Sequence, residues 1–125
     1  MANFFDDIKS FIEGQGYGPV FCEFLPASPD HVIAVFVYGN LPSKDGTLTR
    51  LTQIQVRHES APDAYRIATE LSHMLDSGSE EQLINLTQER WCHCTPRKRP
   101  RSFGHDDKGR TTYYFEVSIW GPDGL

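Results

Sequence analysis

Residues 31–58 read HVIAVFVYGNLPSKDGTLTRLTQIQVRH. The opening HVIAVFVY (31–38) is a nearly continuous apolar run, the pattern of a strand buried on both faces near the middle of a sheet. The closing LTQIQVRH (51–58) alternates from Gln53 onward, with Ile54 and Val56 on one face and Gln55 and Arg57 on the other. Between them, GNLPSKDGTLTR (39–50) carries the glycines, proline and Asp-Gly pair of a loop or hairpin tip. The segment predicts a long hairpin with a protruding tip. Lys44, Asp45 and Arg50 lie on that tip as candidate interface residues.

The rest of the chain arranges itself around this hairpin. TTYYFEVSIW (111–120) is the clearest further strand, rich in β-branched and aromatic residues. Tyr113, Phe115, Val117 and Ile119 share one face; Tyr114, Glu116, Ser118 and Trp120 share the other. Tyr114 and Trp120, opposite the core face, would suit a subunit interface, where aromatics are enriched. Asn3 caps a helix through about Glu13, whose Phe4, Phe5, Ile8, Phe11 and Ile12 form one apolar stripe ended by Gly14 and Gly16. Ser60 caps a second helix, with Asp63 at the reciprocal third position and Pro62 in the first turn. That helix is predicted to run to about Asp76, with Ala64, Ile67, Ala68, Leu71, Met74 and Leu75 facing inward. VFCEFL (20–25) reads as a short strand and PASPD (26–30) as a turn. Residues 79–88 fit no single pattern; 89–95 read as a strand and 96–110 as a long polar loop. Helix, strands, helix, strands without βαβ alternation predicts an α+β fold. We expect a mostly antiparallel β-sheet with two main helices packed on one face, as a single domain over residues 1–125.

The 125 residues suffice for one hydrophobic core. No stretch approaches the roughly 18 apolar residues of a membrane span. The acidic, amphipathic MANFFDDIKSF lacks the basic-then-apolar order of a secretory signal, so a soluble cytoplasmic product and no membrane partner are expected. The three cysteines, Cys22, Cys92 and Cys94, are expected to be free thiols.

The most chemically loaded stretch is WCHCTPRKRPR (91–101). Cys92 and Cys94 on a strand point to one face about 7 Å apart. That exceeds the roughly 4 Å sulfur separation that zinc–thiolate bonds imply, and His93 points the other way. The pair is therefore read as two small apolar residues under a helix, with no metal and no cofactor. The five histidines are scattered, and GQGYG (14–18) precedes a strand instead of joining strand to helix. No catalytic motif emerges, and no enzyme activity is expected. Beyond Pro96 the basic run Arg97, Lys98, Arg99 and Arg101 is framed by two prolines and so is extended. It holds four of the twelve basic residues; the remaining eight face seventeen acidic ones, and the net charge is −5. An acidic body with one basic loop suits contact with phosphates or with an acidic partner.

Taken in order, VFCEFLPASPDHVIAVFVYG, LTQIQVRHESAPDAYRIATELSHMLD and GHDDKGRTTYYFEVSIWG resemble the tail-terminator (tail-completion, or "minor capsid") proteins of long-tailed bacteriophages. The resemblance spans roughly residues 20–121. It rests on the Pro29-Asp30 turn before an apolar strand, the QIQVR strand, the following helix, and the Asp106-x-x-Gly109-Arg110 turn into an aromatic strand. It implies a structural virion protein assembled in the host bacterial cytoplasm. Copies would form a ring, expected to be a hexamer, that caps the tail tube and stops its polymerisation. The implied partners are the tube protein, the head–tail connector or stopper, and genomic DNA passing through the lumen without sequence-specific contacts. Residues 92–101 lie outside the resembling pattern. Two alternatives remain: another head–tail connector or stopper component, and a small nucleic-acid-binding module using the basic loop 97–101.

Overall fold

A computed structural model describes residues 3–78, 83–87, 90–97 and 99–122. The described elements are, in order, α1 (Phe4–Gly14), β1 (Val20–Cys22), β2 (Val32–Pro42), β3 (Thr47–His58), α2 (Ala61–Met74), β4 (Ile84–Asn85), β5 (Trp91–Pro96), β6 (Arg101–His105) and β7 (Thr111–Pro122). Among the described residues no helix is long and apolar enough to cross a membrane.

Local chemistry sets both helices. Asn3 Oδ1 accepts the Asp6 N–H at 2.8 Å, and the Asp6 carboxylate reaches back to the Asn3 N–H at 3.4 Å. At the other end Gly16, at φ +94°, donates to the Glu13 carbonyl at 3.0 Å, and Tyr17 donates to Ile12 at 3.4 Å. That pair of bonds is the Schellman close, which needs a residue free to take positive φ. Ser60 caps α2 by accepting the Asp63 N–H at 3.3 Å. The reciprocal half expected from Asp63 is replaced: the Ser60 N–H donates to His58 Nδ1 at 2.9 Å. α2 also stops at Met74, short of Asp76.

The strands form one sheet in the order β1-β2-β3-β7-β5-β4, with β6 also on β7. It curls into a half-barrel. β3 and β7 pair without interruption from Thr47↔Pro122 to His58↔Thr111. Alternate residues of the central strands (Ile33 and Val35, Ile54 and Val56, Phe115, Val117 and Ile119) join Ile8, Ile12, Ala68 and Leu71 of the helices in one core. Ile8 and Ile12 are fully buried, each contributing about 1.5–3 kcal/mol by transfer from water.

Two expectations need correction. The hairpin tip is Ser43–Gly46, not 39–50, because β2 and β3 stay paired as far as Pro42↔Leu48. Gly39 and Pro42 read as breakers. Instead the ladder absorbs a register shift between Val37 and Gly39, where a Cβ on Gly39 would sit 3.0 Å from Leu51 Cδ1. The sheet is mostly antiparallel, as expected, and β1 runs parallel to β2. Finally, the polar loop expected over 96–110 contains β6. Of the unassigned 79–88, residues 84–85 form β4; 79–82, 88 and 89 lie outside the described residues.

Candidate functional site

Since β3 occupies one side of β7 along its whole length, β5 and β6 must both lie on the other. They form one interrupted edge strand. Pro96 pairs with Val117 and Arg101 with Tyr114. Between those pairs the chain has four residues where β7 has only Phe115 and Glu116, two residues in excess. The Arg97 N–H still bonds the Glu116 carbonyl at 2.9 Å. The basic run is thus a bulge on a sheet edge, framed by its prolines, and not a free loop. A second bulge places Phe103 between Ser102↔Tyr113 and Gly104↔Thr112 with no partner of its own, and Gly104 takes φ +93°.

The bulges turn side chains outward. Arg97, Arg99 and Arg101 are exposed; Lys98 lies outside the described residues. Arg97 Nη1 approaches the Tyr38 hydroxyl at 3.5 Å, and that hydroxyl donates to Glu116 Oε2 at 3.0 Å. Partial burial, then the Glu116 hydrogen bond, raise the Tyr38 pKa. Phe103, 57 % exposed, stacks on Tyr114 at 4.1 Å, and the Arg101 guanidinium lies 5.7 Å from the Tyr114 ring. Arg97 and Arg99 also wall an open cleft of about 430 Å³ against Tyr65, Thr69, Ser72 and His73 of α2. This edge is cationic, aromatic and open.

The other candidate residues are placed differently. Lys44 is exposed on the hairpin turn. Asp45 organises that turn, accepting the Thr47 N–H at 3.2 Å and the Thr47 hydroxyl at 2.6 Å, bonds that lower its pKa. Arg50 is not on the tip: it is buried, with its guanidinium 4.5 Å over the Phe4 ring. Trp120 is half-buried against Trp91 at 5.3 Å and donates from Nε1 to Thr47 Oγ1 at 3.1 Å. Tyr114 and Trp120 thus both have ring partners within their own chain, while exposed aromatics near the basic run include Phe103 and Tyr38. Sequence reasoning missed both. Phe103 stood alone in a polar stretch, and Tyr38 ended an apolar run; position in a sheet is what exposes them.

Cys92 and Cys94 are fully buried members of the core. Burial pushes their thiols up to about 11 and about 12 respectively, so neither is a nucleophile or a ready ligand near neutral pH.

A separate cluster joins three distant segments. Asp106 Oδ1 accepts the N–H groups of Lys108 at 3.0 Å and Arg110 at 2.9 Å, while Oδ2 accepts Arg110 Nε at 2.8 Å. Those bonds, the Arg110 N–H foremost, lower the Asp106 pKa. Gly109 completes the turn at φ +76°. Arg110 Nη1 then donates to the Ala27 carbonyl at 2.6 Å and to Asp30 Oδ1 at 3.2 Å. Arg57 from β3 donates to the Pro29 carbonyl at 2.6 Å and, more weakly, to that of Asp30 at 3.3 Å. Two buried arginines thereby pin the loop that returns the chain from β1 to its parallel neighbour β2. The Pro29-Asp30, QIQVR and Asp106-x-x-Gly109-Arg110 motifs are one structural clamp.

A family model described as bacteriophage tail terminator protein matches residues 11–119, which take in the clamp, the hairpin and the bulged edge. The chain belongs to the bacteriophage tail terminator family. No curated protein sequence matches it. Terminators are structural parts of the virion at the tail, working in contact with other tail and head components. The clamp of this terminator holds the β1–β2 return in place, and its bulged edge is open, basic and aromatic.

Proposed function

We propose that six copies of this terminator form a ring that caps the finished tail tube and stops its polymerisation. The ring presents the joining surface for the head's connector or stopper, and genomic DNA threads its lumen without base-specific contacts. Assembly takes place in the host bacterial cytoplasm. Family membership supports the role, and one observation supports the assembly: an open strand edge, Arg101–His105, carrying arginines and an exposed phenylalanine on an otherwise acidic chain. A ring built head to tail needs two unlike surfaces on each copy, and a charge asymmetry of this kind supplies them. The bulge residues Arg97, Lys98, Arg99 and Arg101, and Lys44 on the hairpin turn, are assigned to partner contacts.

Electron microscopy of tails assembled without the protein tests the role. Overlong or headless tails are expected. Tails of normal length beside leaking heads would instead identify a stopper. Tight binding of the isolated protein to free duplex, weakening steeply with salt, would favour a nucleic-acid-binding module.

A further inference from the structure

The two ends of the sheet carry matching features of opposite charge. At one end, β6 pairs with β7 on one side and, among the described residues, with no strand on the other. All five of its residues are exposed, Phe103 stands out at 57 %, and Arg99 and Arg101 flank it with Arg97 beyond. At the other end is β1, only three residues long. Beside it the exposed carboxylates Glu13 and Glu23 accept the Val20 N–H at 3.1 Å and the Val37 N–H at 3.4 Å. There α1, which also carries exposed Asp6 and Lys9, meets β1 where Cys22 Sγ lies 3.7 Å from the Phe5 carbonyl. Phe24, 53 % exposed, projects beside them, edge-on to Phe21 at 5.3 Å. Each end therefore offers one open phenylalanine, among mainly basic side chains at β6 and mainly acidic ones at β1.

β1 begins the strand order β1-β2-β3-β7-β5-β4, and β6 lies across the sheet from it, paired with β7 beside the path to β5 and β4. A contact between unlike ends of two copies leaves one unlike end free on each copy, so it propagates and closes only as a ring. The two bulges favour such a partner over an arbitrary strand, since an irregular, charged edge resists unspecific pairing.

We propose that neighbouring copies meet through these ends, with Arg99, Arg101 and Phe103 of one copy docked on Glu13, Glu23 and Phe24 of the next. The inference rests on the ring reading above and names its subunit contact. Duplex DNA and the tube protein are the competing occupants of the basic edge.

A charge swap tests it. Three full-length proteins are prepared: unaltered, Arg101→Glu and Glu23→Arg. Each is confirmed folded by circular dichroism and melting temperature, then titrated onto tail tubes and imaged for ring-capped ends. Each single reversal places like charges together, and capping half the ends should take about tenfold more protein or worse. An equimolar mixture of the two variants should cap nearly as well as the unaltered protein, because alternating copies again meet opposite charges. The double variant alone should do the same. If either folded single variant caps like the unaltered protein, the assigned contact is wrong although the ring stands. Loss of capping that neither the mixture nor the double variant restores also overturns it, and points to the tube or DNA as occupant. If the unaltered protein forms no ring on tubes, the ring reading fails and the contact falls with it.

Discussion

Removing the Asp7 carboxylate should destabilise the terminator more than any single change to its surface. Arg90 Nε donates to Asp7 Oδ2 at 2.6 Å, and both side chains are more than nine-tenths buried. The pair ties α1 to the residue that opens β5. Two guanidiniums crowd the Phe4 ring beside it, Arg50 at 4.5 Å and Arg90 at 5.7 Å from its centroid. In Asp7→Ala the Arg90 guanidinium keeps its burial and loses its carboxylate partner. Breaking a buried pair this way costs about 3–5 kcal/mol. The lower end applies here, because Arg90 keeps further interactions of its own. For 125 residues the unfolding entropy is about 260 cal/mol/K, so a loss of about 3 kcal/mol lowers Tm by about 11 °C. Urea unfolding followed by circular dichroism gives the loss directly, and the cycle Asp7→Ala, Arg90→Met and the double variant isolates the coupling. The double variant should fall well short of the sum of the singles, because it strands no charge. A loss below about 1 kcal/mol for Asp7→Ala, or singles that simply add, would refute the reasoning.

Gly121→Ala should cost about 1–3 kcal/mol in the same assay, because the new Cβ would stand 2.7 Å from the Trp91 carbonyl oxygen and 3.3 Å from Cys92 Sγ, forcing β5 away from β7; unchanged stability would mean that this edge gives freely. Thiol reagents at neutral pH should label Cys92 and Cys94 only as fast as the fold opens, and Cys22, half-buried, ahead of them. The same thiols make stability pH-dependent. Their folded pKa values of about 11 and about 12 lie above the ordinary 9.0, so the unfolded chain loses these protons first and stability should fall as pH rises above 9. The slope is up to about 1.4 kcal/mol per pH unit for each thiol. Replacing both cysteines by alanine should flatten that slope, even though it lowers stability near neutral pH.

Much of this fold was legible because its signals are local or periodic. Asn3 and Ser60 announce their helices through hydrogen bonds spanning three residues, and 51–58 and 111–120 announce theirs through alternation imposed by a single buried face. What escaped lacks either property. RSFGH buries nothing, so no apolar period marks it as a strand; only its partner across the sheet makes it one. VFC is recognisable as a strand, but its parallel pairing depends on a returning loop held by arginines 27 and 83 residues away from it in sequence. The same distance hid the clamp. Its three motifs could be seen to recur in order, while their meeting at one point is a fact of topology. Arg50 shows the reverse failure: an arginine beside a polar turn reads as surface, yet the strand continues past it and its alternation turns it inward over Phe4.

The stretch WCHCTPRKRPR thus divides by the physics of one edge strand. Up to Pro96 the edge is guarded: β4 covers its start, and Ser77 takes both the N–H and the carbonyl of Cys94 at 2.8 Å. Beyond Pro96 nothing described covers it, and an uncovered flat strand would invite any other strand to pair. The chain answers with two extra residues, then one, and with arginines at the irregularities. These devices raise the barrier to indiscriminate pairing while leaving charge and one aromatic ring to be matched. The ring proposed above requires both properties on one surface, since copies must stay dispersed before assembly and then join a fixed number of neighbours. The arginines stand on that edge while Cys92 and Cys94, a few residues earlier on the same strand, are turned into the core.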